Sequence, residues 1–345
     1  MYLKSLYLTN FKNYQEVDLS FSPKINCFVG ANGVGKTNML DAIYYLSIGK
    51  SYFNPIDHQN ILDGENYFNL RGFFSKNEEP YDVFVGFVSG KRKKLKKNGV
   101  DYERLSEHVG NFPVVMITPY DNSLITGGSE ERRRFVDAII SQIDKTYLHN
   151  LIDYNKAIKQ RNAQLKWMFE QNLSDHSLLQ AFDKVLVESG NYIHEKRKSF
   201  AVEFSGLFDE YYTQISEGRE TVSLNYKSKL ETQDMKGALA QNLKKDLVTH
   251  RTNAGIHKDE IELKIFDFPA KRFASQGQQK SFLLSMKLAQ FNLFRKHKEI
   301  TPIFLLDDVF DRLDHDRTAS LMDVLAREKA GQVFITDTSA KRVKD

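Results

Sequence analysis

Residues 30–37 of this chain read Gly-Ala-Asn-Gly-Val-Gly-Lys-Thr. It fits the pattern G-x-x-x-x-G-K-[ST] of a phosphate-binding loop. Glycines let such a loop curl so that several N–H groups converge on phosphate oxygens, and the helix that follows directs its positive end at the same anion. Lys36 would add a charge at the β- and γ-phosphates, and Thr37 a hydroxyl ligand for Mg²⁺. The predicted nucleotide-binding residues are Gly30, Ala31, Asn32, Gly33, Val34, Gly35, Lys36 and Thr37.

The residues on either side of the loop supply the context that a phosphate loop needs. Ile25–Val29 is a short apolar stretch that predicts a strand running into the loop. After the loop, apolar residues recur with the 3.6-residue spacing of a packed helix, at Met39, Leu40, Ile43 and Leu46. An ordinary glycine turn at the start of a helix is the alternative, and this strand–loop–helix order disfavours it.

The remaining predicted strands form two groups, separated by a long helical stretch. Strands are predicted at 3–8, 16–21, 81–88 and 114–117, with a turn at Asn98-Gly99, and again at 303–306 and 333–335. The last two are short and apolar, as in parallel sheets. Residues from about 130 to 250 contain no proline and show helical periodicity. We therefore predict an α/β domain split into residues 1–122 and 250–345, interrupted by a mostly helical module at 123–249.

Two carboxylates follow the apolar stretch Ile303–Leu306. Because the carboxyl ends of parallel strands face the ligand crevice, Asp307 is predicted to hold Mg²⁺, directly or through water. Asp308 would then orient or polarise the attacking water. Together with Lys36, these are the predicted catalytic residues. An aspartate pair that merely caps a helix or lies in a loop is the alternative, and the phosphate loop elsewhere in the chain disfavours it.

A second candidate anion site precedes the apolar helix predicted from Phe282 onward. Residues 275–279 combine a serine, a glycine and open N–H groups at a helix start. A plain N-cap, with Ser275 capping and Gln278 in the first turn, explains the same pattern. Taken alone, the pattern favours the plain cap.

Composition limits the environment in which the chain works. Of its 345 residues, 41% are hydrophobic and 27% charged, as in a globular protein with real cores. The single cysteine, Cys27, excludes an intramolecular disulfide, which favours a reducing cytoplasm. No apolar run reaches the roughly 18 residues of a membrane span, and the first residues do not form a signal peptide. A net charge of +4 permits a nucleic-acid partner without requiring one.

Taken together, these motifs resemble the head of an ABC-type ATPase, and more narrowly the RecF family of bacterial recombination proteins, which are related to SMC heads. The likeness covers nearly the whole chain in family order. It is carried by residues 8–14, 35–44, 131–137, 154–162, 255–259, 275–279, 306–310 and 313–314. The resemblance implies that residues 1–122 and 250–345 are a discontinuous ATPase head and that 123–249 are its helical arm.

The resemblance also implies a mechanism and partners. Two ATP-bound heads would dimerise, each phosphate loop capped by Ser275, Gly277 and Gln278 of the other copy, so that ATP favours the dimer and hydrolysis releases it. Family function would be the binding of double-stranded DNA at gaps and single-strand/double-strand junctions. There the protein would act with RecR, and with RecO, in helping to load RecA.

Several positions depart from related patterns. Asp308 is shorter than the glutamate of ABC transporters, a feature that RecF-like chains share, so slow turnover is expected. Asp337 stands where transporters carry a switch histidine. No glutamine follows the strand at 114–117, which leaves Asp121 or Asn122 for the Q-loop role. His257 receives no role, because its neighbours differ from the family pattern. Family members usually continue beyond the position of Asp345, so a truncated chain is an expectation.

The candidate DNA contacts are clusters of basic residues. Six of the seven residues at 91–97 are cationic and lie beside a predicted turn, where they could touch phosphates without reading bases. A solvated loop is the alternative. Further candidates are residues 196–198 and 132–134, the latter close enough to Glu130 and Glu131 for internal salt bridges.

Three other protein classes share parts of this pattern. A transporter nucleotide-binding subunit would need a coupling surface and usually the missing glutamate and histidine. A small-molecule P-loop kinase would lack the stretch at 275–279 and the long helical insert. A nuclease related to SMC heads would need a further Asp/Glu/His cluster, which we do not find in the sequence.

Overall fold

The computed structural model describes residues 1–218, 220–309 and 315–339. In the last of these segments, side chains are described from residue 317 onward. The chain forms two compact units. The first comprises residues 1–122, residues 211–218 and the described residues from 280 onward. The second comprises the described residues of 123–210 and 219–279.

An antiparallel sheet occupies much of the first unit. Its strands are β1 (Tyr2–Phe11), β2 (Tyr14–Ser20), β4 (Tyr67–Lys76), β5 (Glu79–Val88), β6 (Lys94–Lys97) and β7 (Val100–Asp101). Their order in the sheet is β2-β1-β4-β5-β6-β7. In β1 the register sets Leu6 opposite Leu19 of β2 and Gly72 of β4, and Leu6 is fully buried. The predicted turn at Asn98 and Gly99, both with positive φ, joins β6 to β7.

A four-stranded parallel sheet places the motifs at one edge. Its strands are β3 (Ile25–Val29), β8 (Val114–Ile117), β12 (Ile303–Leu306) and β13 (Val333–Asp337), in the order β3-β13-β12-β8. Because the strands are parallel, the phosphate loop after β3 and the carboxylates after β12 leave the sheet at the same end. The predicted strands 303–306 and 333–335 are thereby confirmed.

Helix α1 (Lys36–Ile48) holds the phosphate loop against the core. Its predicted apolar face is confirmed: Met39, Leu40, Ile43 and Leu46 are at most 3% exposed. They share one hydrophobic cluster with residues of both sheets. The first unit also contains α9 (His315–Arg327) and most of α8 (Gln276–Lys298).

The second unit is mainly helical and also contains a small sheet. Its helices are α2 (Ser123–Thr126), α3 (Ser129–Ile143), α4 (Lys145–Glu170), most of α5 (Gln180–Ser216), α6 (Met235–Thr249) and α7 (Ala270–Phe273). Its antiparallel sheet has the order β11-β10-β9, formed by β9 (Val222–Lys227), β10 (Glu260–Ile265) and β11 (Phe268–Pro269).

That small sheet explains a difference from the predicted domain limits. Sequence periodicity grouped residues 250–279 with the head, whereas they belong to the second unit. The reason is that β10 pairs along its whole length with β9, whose short alternating pattern lies inside the stretch that was expected to be helical. Where independent domains begin and end stays a prediction. No helix among the described residues is both long and apolar enough to cross a membrane.

Candidate nucleotide-binding site

The phosphate loop curls between β3 and α1 and encloses its own lysine. Gly33 and Gly35 take φ values of +83° and +106°, which side-chain-bearing residues rarely adopt. The Lys36 ammonium donates hydrogen bonds of 2.8 Å to the Gly30 carbonyl and 2.9 Å to the Ala31 carbonyl. These bonds anchor the charge within the loop, at the start of the helix.

Asp307 is the point at which the loop and the β12 carboxylates meet. Its Oδ1 accepts hydrogen bonds from the Thr37 hydroxyl, at 2.8 Å, and from the Thr336 hydroxyl, at 2.9 Å. Burial raises the pKa of this carboxyl, against the lowering effect of the two hydroxyl donors. A nearly buried carboxylate beside a threonine hydroxyl is an oxygen donor set suited to Mg²⁺.

Asp308 is held in an unusual backbone conformation next to Asp307. Its φ is +46°, and its N–H donates a 2.9 Å hydrogen bond to Thr336 Oγ1. Its Oδ1 is buried and has no hydrogen-bond partner within the described part of the chain. Buried polar atoms are normally satisfied, so this oxygen fits a site that receives a water molecule or another donor.

These residues fit a magnesium–nucleotide ligand by the chemistry of their donor groups. The glycine loop would receive phosphate oxygens, Lys36 would compensate their charge, and Thr37 with Asp307 would hold the metal ion. The structure therefore brings together four predicted site residues from the two ends of the chain: Lys36, Thr37, Asp307 and Asp308.

The second candidate anion site belongs to the other unit. Ser275 caps α8, because its hydroxyl accepts a 3.2 Å hydrogen bond from the Gln278 N–H while Gln278 Oε1 accepts one of 2.6 Å from the Ser275 N–H. The plain-cap interpretation is thus confirmed as a structural role. Ser275 is nevertheless exposed, Gly277 is half-buried, and the Gln278 amide also donates to Glu220. A role of Ser275, Gly277 and Gln278 toward nucleotide stays a prediction. Leu313 and Asp314, which carry part of the family resemblance, lie with Phe310 outside the described residues.

The candidates for the Q-loop role lie just after β8. The Asp121 carboxylate accepts a hydrogen bond from the Thr118 N–H at 2.8 Å, forms an ion pair with Lys287 at 3.2 Å and contacts the Tyr52 hydroxyl. Asp121 is therefore engaged in the core of the first unit. Asn122 stays a prediction.

His257 has a structural role within the second unit. Its Nε2 lies 3.0 Å from the Thr252 carbonyl, to which it donates, and its Nδ1 accepts from the Tyr154 hydroxyl at 2.9 Å. Burial lowers the pKa of His257 to about 4, so the ring is neutral at pH 7.

The basic run at 91–97 is less available than its sequence suggested. Lys93 is turned inward, where its ammonium pairs with Asp57 at 3.0 Å and donates to the Gly49 carbonyl at 2.7 Å. Lys96 lies 3.6 Å from Asp101. The exposed cations of this run are Lys91, Arg92 and Lys94.

Several basic residues of the helical module hold the module together. Arg197 is 2% exposed and pairs with Asp137 at 2.9 Å and Asp259 at 3.1 Å, so its prediction as a DNA contact is wrong. Its neighbour Lys196 lies 2.8 Å from Asp144, and Lys198 is exposed.

The cluster at 132–134 is engaged in the same way. Arg132 pairs with Glu260 at 2.8 Å, and Arg134 pairs with Glu130. Arg133 donates to the Asp259 carbonyl. The expected internal salt bridge is therefore confirmed for Arg134 with Glu130, whereas Arg132 forms its ion pair with Glu260 instead.

The sequence did not indicate three residues that support the candidate site or the helix behind it. Thr336 bridges the two aspartates, as described above. Asn13 donates a 3.1 Å hydrogen bond to the Val34 carbonyl of the phosphate loop. Lys12 pairs with the buried carboxylate of Asp41 on α1 at 2.5 Å. Only the opening stretch at 8–14 hinted at the last two, through family likeness and without a role.

Comparison with known proteins agrees with this geometry. The family profile described as "RecF/RecN/SMC N terminal domain" matches residues 2–345. The DNA replication and repair protein RecF of Flavobacterium johnsoniae is 46% identical over 344 residues, covering 100% of this chain and 96% of the relative. The chain belongs to the RecF family. RecF of Bacteroides fragilis is 42% identical over 344 residues, covering 99% of this chain and 92% of that one.

Solved structures support the same fold. One solved structure is of the recombination mediator protein RecF of the RecFOR pathway, with ATP. It superposes on this chain with a TM-score of 0.90 at 30% identity, and the match covers 98% of this chain and 92% of that one. An Smc head bound to the C-winged helix domain of ScpA has a TM-score of 0.56 at 17% identity, covering 99% of this chain and 90% of that one, and so supports the fold alone.

The predicted α/β fold, an ABC-type ATPase head with a helical arm, is confirmed. Membership of the RecF family disfavours the transporter and kinase alternatives. Among the described residues, no group of three or more His, Cys, Asp or Glu side chains could hold a metal ion of nuclease type.

Proposed function

We propose that this chain binds ATP with Mg²⁺ at residues 30–37 and hydrolyses it slowly, as a switch for its hold on DNA. The observation that carries the proposal is the 2.8 Å hydrogen bond from Thr37 to Asp307, which joins the phosphate loop to the carboxylates after β12. Family membership and the RecF solved with ATP support the choice of nucleotide. When bound, Mg²⁺ would neutralise charge that develops on the phosphate oxygens.

Each residue of the site has a distinct part in this proposal. Lys36 keeps a fixed positive charge where the β- and γ-phosphates bind. Thr37 and Asp307 would hold the metal ion. Asp308 Oδ1, which has no hydrogen-bond partner among the described residues, would accept a hydrogen bond from the attacking water and orient it. Slow turnover follows from the short reach of an aspartate, which holds water less closely than a glutamate would.

We propose further that hydrolysis is coupled to pairing of two copies. The nucleotide held by one copy would contact Ser275, Gly277 and Gln278 of the other copy. ATP would therefore favour the homodimer, and hydrolysis of ATP would allow the two copies to separate. The exposure of Ser275 and of Gln276, the first residue of α8, is compatible with such contact.

DNA and the recombination mediators are the proposed partners. The relatives are DNA replication and repair proteins, and one RecF structure belongs to the RecFOR pathway. We propose binding to double-stranded DNA at gaps and junctions, with RecR and RecO as partners in loading RecA. Lys91, Arg92 and Lys94 are the exposed cations of the basic run that could reach phosphates.

The test is the molecular mass in solution, by sedimentation velocity without nucleotide, with ADP and with ATP, each with and without gapped duplex DNA. We expect the chain to be a dimer with ATP and a monomer with ADP or without nucleotide. In a separate assay of ATP hydrolysis, we expect DNA to increase the turnover rate. Lys36→Met should abolish both ATP binding and dimerisation.

Ser275→Arg separates the parts of the proposal. It should block dimerisation while ATP still binds, whereas the exposed Ser199→Arg on α5 should behave as wild type. If Ser275→Arg still dimerised with ATP, capping by a second copy would be wrong. If DNA left ATP turnover unchanged, the proposed coupling to DNA would be wrong.

A further inference from the structure

A short chain of side-chain amides links the β1–β2 turn to the phosphate loop. Asn13 lies in this turn, and its Nδ2 donates a 3.1 Å hydrogen bond to the Val34 carbonyl. Its Oδ1 accepts a 2.7 Å hydrogen bond from Nδ2 of Asn38, in the first turn of α1. The Asn38 bond fixes which way the Asn13 amide faces, so that its N–H₂ group is directed at the loop.

The Asn13 contact also fixes the direction of a loop N–H. A peptide unit is planar and trans, so its C=O and the following N–H point in opposite directions. Holding the Val34 carbonyl toward Asn13 therefore turns the Gly35 N–H away from the turn. Phosphate loops bind their anion with such N–H groups.

The approach of the turn to the loop is closer than ordinary packing. A Cβ atom on Gly35 would lie 2.4 Å from Asn13 Nδ2 and 2.9 Å from the Tyr14 hydroxyl. The turn is fastened to α1 a second time, by the Lys12–Asp41 ion pair at 2.5 Å. The turn thus contacts both the loop and the helix that follows it.

We propose that Asn13 is a positioning residue, which orients the Val34–Gly35 peptide so that the Gly35 N–H binds a nucleotide phosphate. The inference rests on the proposed function, because it assigns a role at the same nucleotide site. Asn13 acts through the loop backbone and needs no contact with the nucleotide. Its effect therefore falls on ATP and ADP alike, and on affinity more than on the rate of the chemical step.

The test compares Asn13→Ala with two variants on the full-length chain. Asn38→Ala removes the bond that orients Asn13 but leaves its donor. Gln15→Ala changes an exposed amide on β2 that makes no hydrogen bond among the described residues. Dissociation constants for ATP and ADP, kcat and KM for ATP, and the thermal unfolding midpoint without nucleotide would be measured for each.

We expect Asn13→Ala to weaken the binding of both nucleotides about ten-fold, because a misoriented Gly35 N–H would lose its hydrogen bond to a charged phosphate. Asn38→Ala should weaken this binding less, and Gln15→Ala not at all. KM should rise while kcat is retained, and the unfolding midpoint without nucleotide should match wild type.

The outcomes distinguish the inference from the function it rests on. Normal ATP binding by wild type and by Asn13→Ala would overturn the inference alone. A lowered unfolding midpoint with unchanged affinity would make Asn13 merely structural and overturn it as well. A wild-type chain that bound neither nucleotide would overturn the proposed function and the inference together.

Discussion

The hydroxyl of Thr37 lies 2.8 Å from a carboxylate oxygen of Asp307, although 270 residues separate the two along the chain. The contact arises because β3 and β12 end at the same edge of the parallel sheet, with β13 between them. Thr336 on β13 donates to the same oxygen, which makes Asp307 the shared acceptor of two hydroxyls.

Asp307→Asn is expected to separate stability from activity. Hydrolysis should fall by about 10²-fold or more, because an amide is a poor ligand for Mg²⁺. Burial raises the pKa of Asp307, so its ionised form is less favourable in the folded than in the unfolded chain. Without nucleotide and Mg²⁺, the variant should therefore be more stable than wild type at pH 7.

The pH dependence of that stability difference tests whether the pKa of Asp307 is raised in the folded chain. A raised carboxyl pKa contributes stability that is fully present below the unfolded value near pH 4 and is lost as pH rises through the folded value. The advantage of Asp307→Asn in denaturant unfolding should thus shrink on acidification toward pH 4. An advantage that grew on acidification would contradict the assignment.

Gly35→Ala should disable the loop by two separate effects. The φ of +106° is strained for alanine, and the new Cβ would lie 2.4 Å from Asn13 Nδ2. We expect loss of nucleotide binding and a destabilisation of about 1–2 kcal/mol. Gly33→Ala is the matched control, since its φ is +83° but, apart from its chain neighbours, no atom of the described residues would lie within 4 Å of the new Cβ. Calorimetry should show that Gly35→Ala loses more nucleotide affinity than Gly33→Ala. An equal loss of affinity in the two variants would mean that the close approach of Asn13 to Gly35 has no effect on binding.

Charge reversal of Lys91, Arg92 and Lys94 should weaken DNA binding. A plot of log affinity against log salt concentration has a negative slope, and each lost phosphate contact makes that slope shallower by about 0.9. The triple variant should therefore have a slope that is shallower by up to about 3. The control reverses Lys156, Lys159 and Lys166, exposed on α4, for the same change in net charge. Fluorescence anisotropy over a salt series measures both, and equal slopes for the two triple variants would argue against a local contact.

Lys93→Glu should instead destabilise the fold, because Lys93 pairs with Asp57.

Arg197→Ala is expected to destabilise the helical module by about 3–5 kcal/mol. It would leave Asp137 and Asp259 without their buried cation. The adjacent Lys198→Ala, at an exposed position, should change stability by less than about 0.5 kcal/mol. Chemical denaturation of both variants provides the comparison, and similar stabilities would contradict the buried network.

Acid should destabilise the chain in a window set by buried histidines. Burial lowers the pKa of His257 and of His108 to about 4. Each lowered pKa contributes stability that is present above the unfolded value near pH 6.5 and is lost as pH falls toward 4, by up to about 3 kcal/mol. His257→Gln should flatten part of this dependence in unfolding measured between pH 4 and 7. An unchanged profile would show that His257 is not buried neutral.

Local motifs were sufficient to predict the strands, loop and helix that form much of the candidate site. The loop at 30–37, the apolar face of α1 and the carboxylates after β12 were all visible, because each depends on residues close in sequence. The loop's glycines, the helical spacing of Met39, Leu40, Ile43 and Leu46, and the strand that ends at Asp307 are determined by local sterics and periodicity.

The sequence could not show which side chains pair across the fold. It did not reveal Asn13 on the phosphate loop, Thr336 on Asp307, or the inward turn of Lys93. It also left β9 inside a stretch expected to be helical, because β9 is a strand by virtue of its pairing with β10. Such pairings depend on tertiary packing, which decides whether a cation meets a carboxylate or solvent and whether an amide meets a backbone carbonyl. The residues of the loop are close in sequence, so the pattern alone predicts a phosphate-binding loop at 30–37. Which residues contact that loop and which cations remain exposed depends on contacts between distant segments, and these form only when the chain packs.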